Sequence, residues 1–448
     1  MKQYITVIGG GLAGSEAAYQ IAKRGINVKL YEMKPEKFSA AHESENLAEV
    51  VCSNSFKSNS ITNACGLLKE ELRMLDSLLI KCADKTAVPA GQALAVDREE
   101  FSKLVTKEIE NISNIEIIRE EYACNLEEEN GIVIIATGPL TSDKMVNQIN
   151  NIINVGVDAL GDPKTKKCML SFYDAAAPII EKESINMNIA FVGDRYGKGD
   201  GSYINLPMNK EEYEEFYNNL INAEIAELHE FEKKEIFEGC MPIEVMAGRG
   251  VDTIRFGPLK PMGFTDPRTG NRPYAIVQLR QDNKEGTLYN MVGFQTNLKF
   301  GEQKRVFSLI PGLENAEFMK YGVMHRNTYI NSPELLDSTY NLKANNKIFF
   351  AGQITGVEGY VESISSGLVS AINAVQVYKG NGESKITFPE STMIGALATY
   401  ISSENKRFQP MNANFGILPQ LETRIKDKQE RYKKLAEISL ENITKTLQ

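Results

Sequence analysis

Tyr4-Ile-Thr-Val-Ile-Gly-Gly-Gly-Leu-Ala-Gly14 carries the fold in its spacing: an apolar strand, then glycines at 9, 11 and 14 that fit GxGxxG. The pattern continues as a helix to about Lys23 and a second strand, Val28-Lys-Leu-Tyr-Glu32, which closes on an acid. Glycines in such a turn let the backbone approach a pyrophosphate at the positive end of the following helix. A carboxylate at position 32 can then accept the ribose hydroxyls. Gly9, Gly10, Gly11, Leu12, Ala13, Gly14 and Glu32 are therefore the candidate dinucleotide contacts.

An adenine half-site alone does not separate NAD from FAD, and the rest of the chain bears on the choice. Ile132-Val-Ile-Ile-Ala-Thr-Gly138 reads as a buried strand that turns abruptly. Lys347-Ile-Phe-Phe-Ala-Gly-Gln353 repeats that plan, with glycines at 352, 356 and 359 before a helix from about Tyr360 to Val377. Nucleotide-fold strands at opposite ends of a chain imply one sheet completed by the C-terminal segment, and a second positive helix end near the cofactor. The joint pattern favours a flavin site. We expect an α/β protein whose Rossmann-like FAD-binding domain is discontinuous (residues 1–165 and 330–448), with a smaller α/β domain inserted at 166–329.

The chain has 448 residues, 42% hydrophobic and 24% charged, the composition of an ordinary globular protein. No apolar run is long enough for a bilayer, and the start shows no secretory h-region; a cytoplasmic protein is expected. Six cysteines (52, 65, 82, 124, 168, 240) lack a CxxC pair, and three histidines form no ligand cluster, so neither disulfides nor a metal site is expected. A net charge of −9 argues against non-specific adhesion to nucleic acid but leaves room for local basic faces.

Two such faces are visible. Met241–Arg280 holds six cations, among them Arg249, Arg255 and Arg272, against three acids, with Pro/Gly punctuation that predicts turn-rich β structure. Glu404–Lys434 holds eight cations against four acids and ends in a helical pattern. Glu211–Glu238, with ten acids and two lysines, reads as a solvated helical face. Among the cysteines, Cys65 and Cys82 fall in helical periodicity as small core residues. Cys52 follows Val50-Val51 as if a strand ran into a polar turn, and Cys240 follows a glycine in Phe237-Glu-Gly-Cys-Met-Pro242.

Longer motifs carry a resemblance. Val7-Ile-Gly-Gly-Gly-Leu-Ala-Gly-Ser-Glu-Ala-Ala18, Cys52-Ser-Asn-Ser55, Leu67-Leu-Lys-Glu-Glu71, Val88-Pro-Ala-Gly91 and Ala93-Leu-Ala-Val-Asp-Arg98 begin the series. Phe172-Tyr-Asp-Ala-Ala-Ala-Pro178, Phe237-Glu-Gly-Cys-Met-Pro-Ile-Glu-Val245, Tyr321-Gly-Val-Met-His-Arg-Asn327, Gly356-Val-Glu-Gly-Tyr-Val-Glu-Ser363 and Phe408-Gln-Pro-Met-Asn-Ala-Asn-Phe415 continue it. With them the chain resembles, over essentially its whole length, the bacterial folate- and FAD-dependent tRNA (uracil-5-)-methyltransferases. The resemblance implies methylenetetrahydrofolate as carbon donor, FAD as the group that handles the carbon and the hydride, and NADH or NADPH as reductant. It implies Cys240 as the thiol that adds to uracil and Cys52 as the thiol that assists proton removal at carbon-5. Tyr360 is matched to a ring near flavin and folate, and Lys406 to a folate carboxylate or RNA phosphate. Arg249, Arg255 and Arg272 are candidate RNA contacts.

Where many two-dinucleotide flavoproteins have Gly-Asp, this chain has Gly352-Gln353, which can hydrogen-bond without adding charge. Gly-Gln also occurs in the carboxymethylaminomethyl-uridine tRNA flavoproteins, which are normally longer. That family, a ribosomal-RNA uridine as target, and a non-catalytic, FAD-stabilised RNA-binding protein are the alternatives. The oligomeric state is left open.

Overall fold

A computed structural model describes residues 4–154, 169–197, 203–226, 241–322, 324–380, 385–405 and 408–446. Cys240 and Lys406 lie outside the described residues, as do Cys168, His229 and 227–238 of the acidic run. Tyr4–Ile8 is the strand that the β-branched pattern predicts. It pairs in parallel with Asn27–Tyr31 on one side and with Ile132–Ile135 on the other. The strand Asn345–Phe350, from the far end of the chain, adds in parallel to Ile132–Ile135, with Ile348 opposite Val133. Ile115–Ile118 and the short antiparallel Asn341–Leu342 complete a six-stranded sheet. Ile132–Ile135 is buried along its whole length, as expected for a parallel strand covered on both faces.

Over this sheet the helix Leu12–Lys23 packs against the helix Tyr360–Tyr378. Gly367 makes that crossing close, because a Cβ there would sit 2.2 Å from the Ala13 carbonyl oxygen. Two buried glutamates tie further helices on. Glu16 accepts from the Ser77 hydroxyl and the Leu79 amide, at the start of Leu78–Lys85. Glu71 accepts from the amides of Met393 and Ile394, opening Met393–Ser402, and from the Ser439 hydroxyl. Each satisfies donors that a helix start leaves unpaired. Cys65 and Cys82 are buried in helices as their periodicity predicts.

A second, antiparallel six-stranded sheet runs in the order Phe191–Val192, Tyr203–Met208, Ala275–Gln281, Leu288–Met291, Ile179–Glu181, Phe318–Lys320. Its buried apolar cluster draws on Ala177 to Ala316, whereas the cluster around the parallel sheet draws on Ile5 to Ile153 and Tyr329 to Ile443. Between the two lies an antiparallel pair, Met169–Ala175 with Met324–Ile330.

Two local expectations are corrected. Met241–Arg280 is not turn-rich β throughout: Ile243–Gly248 and Thr253–Phe256 are short helices, and regular strand begins only at Ala275. Pro242 caps the first helix, a position where proline costs nothing, so the proline read as a turn signal marks a helix start. Val50-Val51 is not a strand; the Arg98 guanidinium takes both of its carbonyls, at 3.1 Å each, in place of a ladder.

Candidate functional site: a dinucleotide cleft and a clamped thiol

The cleft opens where the strand Tyr4–Ile8 ends. Gly9 has φ +101°, and a Cβ there would lie 2.5 Å from the Ala136 carbonyl oxygen, so the turn requires glycine. Gly14 approaches Gly9 more closely still: its Cβ would fall 1.8 Å from the Gly9 oxygen. A Cβ on Gly11, by contrast, meets nothing within 4 Å. Glu32 is buried, and its two oxygens accept from the amides of Gly10 and Lys34, each at 3.0 Å. Each oxygen keeps a lone pair for a hydroxyl.

From the opposite wall come Gly352, Gln353 and Tyr360. Gln353 donates to Glu358 at 2.6 Å, which turns its amide toward a neighbouring carboxylate. Gly9, Gly11, Leu12, Ala13, Glu32, Gly352, Gln353 and Tyr360 all line this one cleft. Gly10 and Gly14 support it from behind. The Phe408–Phe415 motif folds onto the same helix start. Phe408 packs on Gly356, where a Cβ would come within 2.4 Å of the ring, and Met411 exchanges backbone bonds of 2.9 Å with Gly356 and Glu358.

Cys52 sits beside the cleft, directly after the lining residue Val51, in a loop gripped from three elements. The Tyr360 hydroxyl accepts from the amides of Cys52 and Ser53, both at 3.0 Å. Arg98 holds the Val50 and Val51 carbonyls and pairs at 3.0 Å with Asp282, the residue that follows the strand Ala275–Gln281 of the second sheet. Arg280 reaches back to the Asn54 side-chain oxygen at 3.0 Å and the Ser53 hydroxyl at 2.7 Å. The Cys52 thiol itself points to the Ala175 carbonyl at 3.8 Å. Burial, and then the neighbouring Cys52, push the Tyr360 phenol well above its ordinary range, so the ring stays protonated. Burial opposes the Arg98 charge, but Asp282 and Tyr360 outweigh it and raise its pKa; burial lowers that of Arg280.

Sequence reading had no role for Arg98, Arg280 or Asp282. Arg98 did carry a signal: it opens the helix Arg98–Glu110, where a cation opposes the helix dipole and so calls for another reason to be there. The three candidate RNA arginines differ. Arg272 and Arg249 are exposed, whereas Arg255 is spent on Asp252 at 3.1 Å and on the Tyr274 carbonyl at 3.0 Å, with Tyr274's ring beneath it. Among the described residues no His/Cys/Asp/Glu group could hold a metal ion, and no helix is long and apolar enough to cross a membrane.

Residues 4–382 match the family described as GIDA, glucose inhibited division protein A. The chain is 60% identical over 432 residues to the methylenetetrahydrofolate--tRNA-(uracil-5-)-methyltransferase TrmFO of Acetivibrio thermocellus, covering 96% of this chain and 95% of that one. It is 57% identical to the protein of the same name from Fusobacterium nucleatum, over 100% and 99% of the two chains. In structure it resembles GidA of Aquifex aeolicus, with a TM-score of 0.67 at 18% identity, covering 100% of this chain and 75% of that one; this likeness concerns the fold.

Proposed function

Because the chain belongs to the methylenetetrahydrofolate--tRNA-(uracil-5-)-methyltransferase family, we propose that it methylates carbon-5 of a tRNA uridine, in the T-loop. Methylenetetrahydrofolate supplies the carbon and NADH or NADPH the two electrons that reduce it to a methyl. The observation that carries this reading is the clamped Cys52 beside a dinucleotide cleft built from both ends of the chain.

The cleft's residues fit FAD. The open space over Gly11, the N-terminus of the helix Leu12–Lys23 and the remaining lone pairs of Glu32 are what a pyrophosphate and ribose need. When bound, FAD supplies both one-carbon and hydride transfer. The chain's own groups do the rest. Cys240 is assigned attack on uracil carbon-6, which makes carbon-5 nucleophilic, and Cys52 removal of the carbon-5 proton. Tyr360, Arg98 and Arg280 hold the Cys52 loop in place for that transfer, and Tyr360 lines the cleft that would hold the flavin. Lys406 is assigned to a folate carboxylate or an RNA phosphate, and Arg249 and Arg272 to the RNA; Arg255, held by Asp252 and the Tyr274 carbonyl, would reach RNA only by giving up those partners. The second sheet supports reading residues 166–329 as an inserted domain between 1–165 and 330–448, with the RNA bound across their junction. A tRNA-modifying enzyme of this kind works in the cytoplasm.

The test is mass spectrometry of tRNA and ribosomal RNA from a strain lacking the protein. Loss of 5-methyluridine from the tRNA T-loop is expected. Unchanged tRNA with a ribosomal 5-methyluridine missing would move the target, and both RNAs unchanged would end the reading.

A further inference from the structure

The second sheet carries an outer surface that the chemistry above does not use. Tyr196 is 62% exposed and Phe256 66% exposed, on a protein that buries most of its large rings. Tyr196 also holds φ +63°, the left-handed region that bulky residues avoid. It is kept there by its amide, which donates to the Gly263 carbonyl at 2.8 Å. Its ring lies against Gly263, where a Cβ would come 2.9 Å from it, so the glycine is the ring's floor. The conformation leaves most of the ring in solvent, and backbone outliers of this kind gather at binding sites.

Arg255, itself paired with Asp252, lies over one face of the Phe256 ring at 5.1 Å, whereas, among the described residues, the cations nearest Tyr196 are not neutralised by acids. Arg195 donates to the carbonyls of Lys260 and Met262, and Arg272 reaches the Met262 sulfur at 3.1 Å, so the turn 260–263 brings these residues to one place. Phe256 precedes that turn, to which Lys260 belongs, and the Lys260 amide bonds back to Gly257. Arg255 and Arg268 are paired with Asp252 and Asp266, but Arg195, Lys260 and Arg272 have no carboxylate partner among the described residues. Tyr203 and Arg280 are register partners, and Arg280 holds Ser53, so this surface adjoins the Cys52 clamp: the Gly193 amide takes the Tyr203 carbonyl two residues before Arg195.

We propose that Tyr196 and Phe256, flanked by Arg195, Lys260 and Arg272, form a stacking platform for unpaired bases of the RNA substrate. Aromatic faces among unpaired cations are the recurring means of holding single-stranded nucleic acid: bases stack on the rings while the cations track phosphates. The proposal rests on the RNA-modifying reading. The platform engages loop nucleotides near the target, steadying the RNA while the uridine is out of its stack.

Fluorescence anisotropy of the holoenzyme with three labelled RNAs tests it: an unmodified tRNA transcript, a twelve-nucleotide oligouridylate and a duplex of the same length. Tyr196→Ala and Phe256→Ala are each expected to weaken tRNA and oligouridylate binding about 5- to 100-fold, with duplex binding little changed. Tyr196→Phe and Phe256→Tyr keep a ring and should bind within about twofold of wild type. Lys260→Ala with Arg272→Ala should flatten the salt dependence on the oligouridylate by roughly 1.4 in log–log slope, while the ring variants leave that slope alone. Flavin content and melting temperature, unchanged throughout, report the fold. Alanine variants that bind like wild type, or ring-keeping variants that lose as much as the alanines, overturn the platform and leave the function standing. A wild type that binds neither tRNA nor oligouridylate overturns the function itself.

Discussion

At the scale of single residues, neighbouring glycines do opposite jobs. Gly14 is packed against Gly9, so Gly14→Val should prevent folding, read as loss of soluble protein. Gly11 faces open space, so Gly11→Val should fold with an unchanged melting temperature of the apoprotein yet lose most of its bound flavin. A yellow, fully occupied Gly11→Val protein would remove the pyrophosphate from this turn. Tyr360 offers a finer test. Its hydroxyl is the acceptor for two amides, and Tyr360→Phe strands both donors, at about 1–3 kcal/mol. The Cys52 loop should loosen and alkylation of Cys52 by iodoacetamide, followed by peptide mass spectrometry, should speed up several-fold. An unchanged alkylation rate would mean that the arginines alone hold the loop. Cys52→Ala, which leaves all these contacts in place, should retain flavin and NAD(P)H oxidation but lose methyl transfer to RNA.

At the scale of elements, Glu71 joins three helices through one carboxylate. Burial pushes its pKa up from the ordinary 4.5 to about 7, against the lowering effect of the Ser439, Met393 and Ile394 donors. The folded state therefore holds a proton that the unfolded chain releases above about pH 4.5. This contribution to stability is full below that value and is lost as pH rises toward 7, by an amount on the order of 3 kcal/mol. Glu71→Gln cannot titrate. The difference in urea midpoint between wild type and Glu71→Gln should shift against wild type from pH 5 to pH 7.5; a pH-independent difference would show that the carboxyl is ionised throughout. The same element scale explains the misread segment around Pro242. Proline and glycine report that a strand or helix stops, but not which element starts next.

At the scale of the whole molecule, the Arg98–Asp282 pair is a joint between the parallel-sheet side and the second sheet, with both side chains mostly buried and Asp282 4% exposed. Removing one partner leaves the other charge buried and unpaired, typically worth 3–5 kcal/mol. Arg98→Ala should lower thermal stability by several degrees and raise Cys52 reactivity together, because the same guanidinium holds Val50 and Val51. Arg98→Ala with Asp282→Ala should recover much of the stability and none of the Cys52 protection. Recovery of both would place the loop's order in the ion pair, not in the carbonyl contacts.

The sequence by itself determined the dinucleotide turn, the strands that flank it and the C-terminal strand that completes their sheet. Those are local patterns: GxGxxG, apolar runs and a closing acid state their backbone requirements within a dozen residues of one another. The family motifs went further and named Cys52 and Tyr360. What joins these two is tertiary. The Cys52–Tyr360 bond spans 308 positions, and the Arg280–Ser53 bond spans 227. No periodicity links residues so far apart; they meet because Gly367 lets one helix cross another at backbone distance and because two sheets close on a single loop. Arg280 and the Tyr196 surface were hidden for the same reason: an arginine reads alike in sequence whether it is solvated or buried against a carboxylate, and only packing decides which.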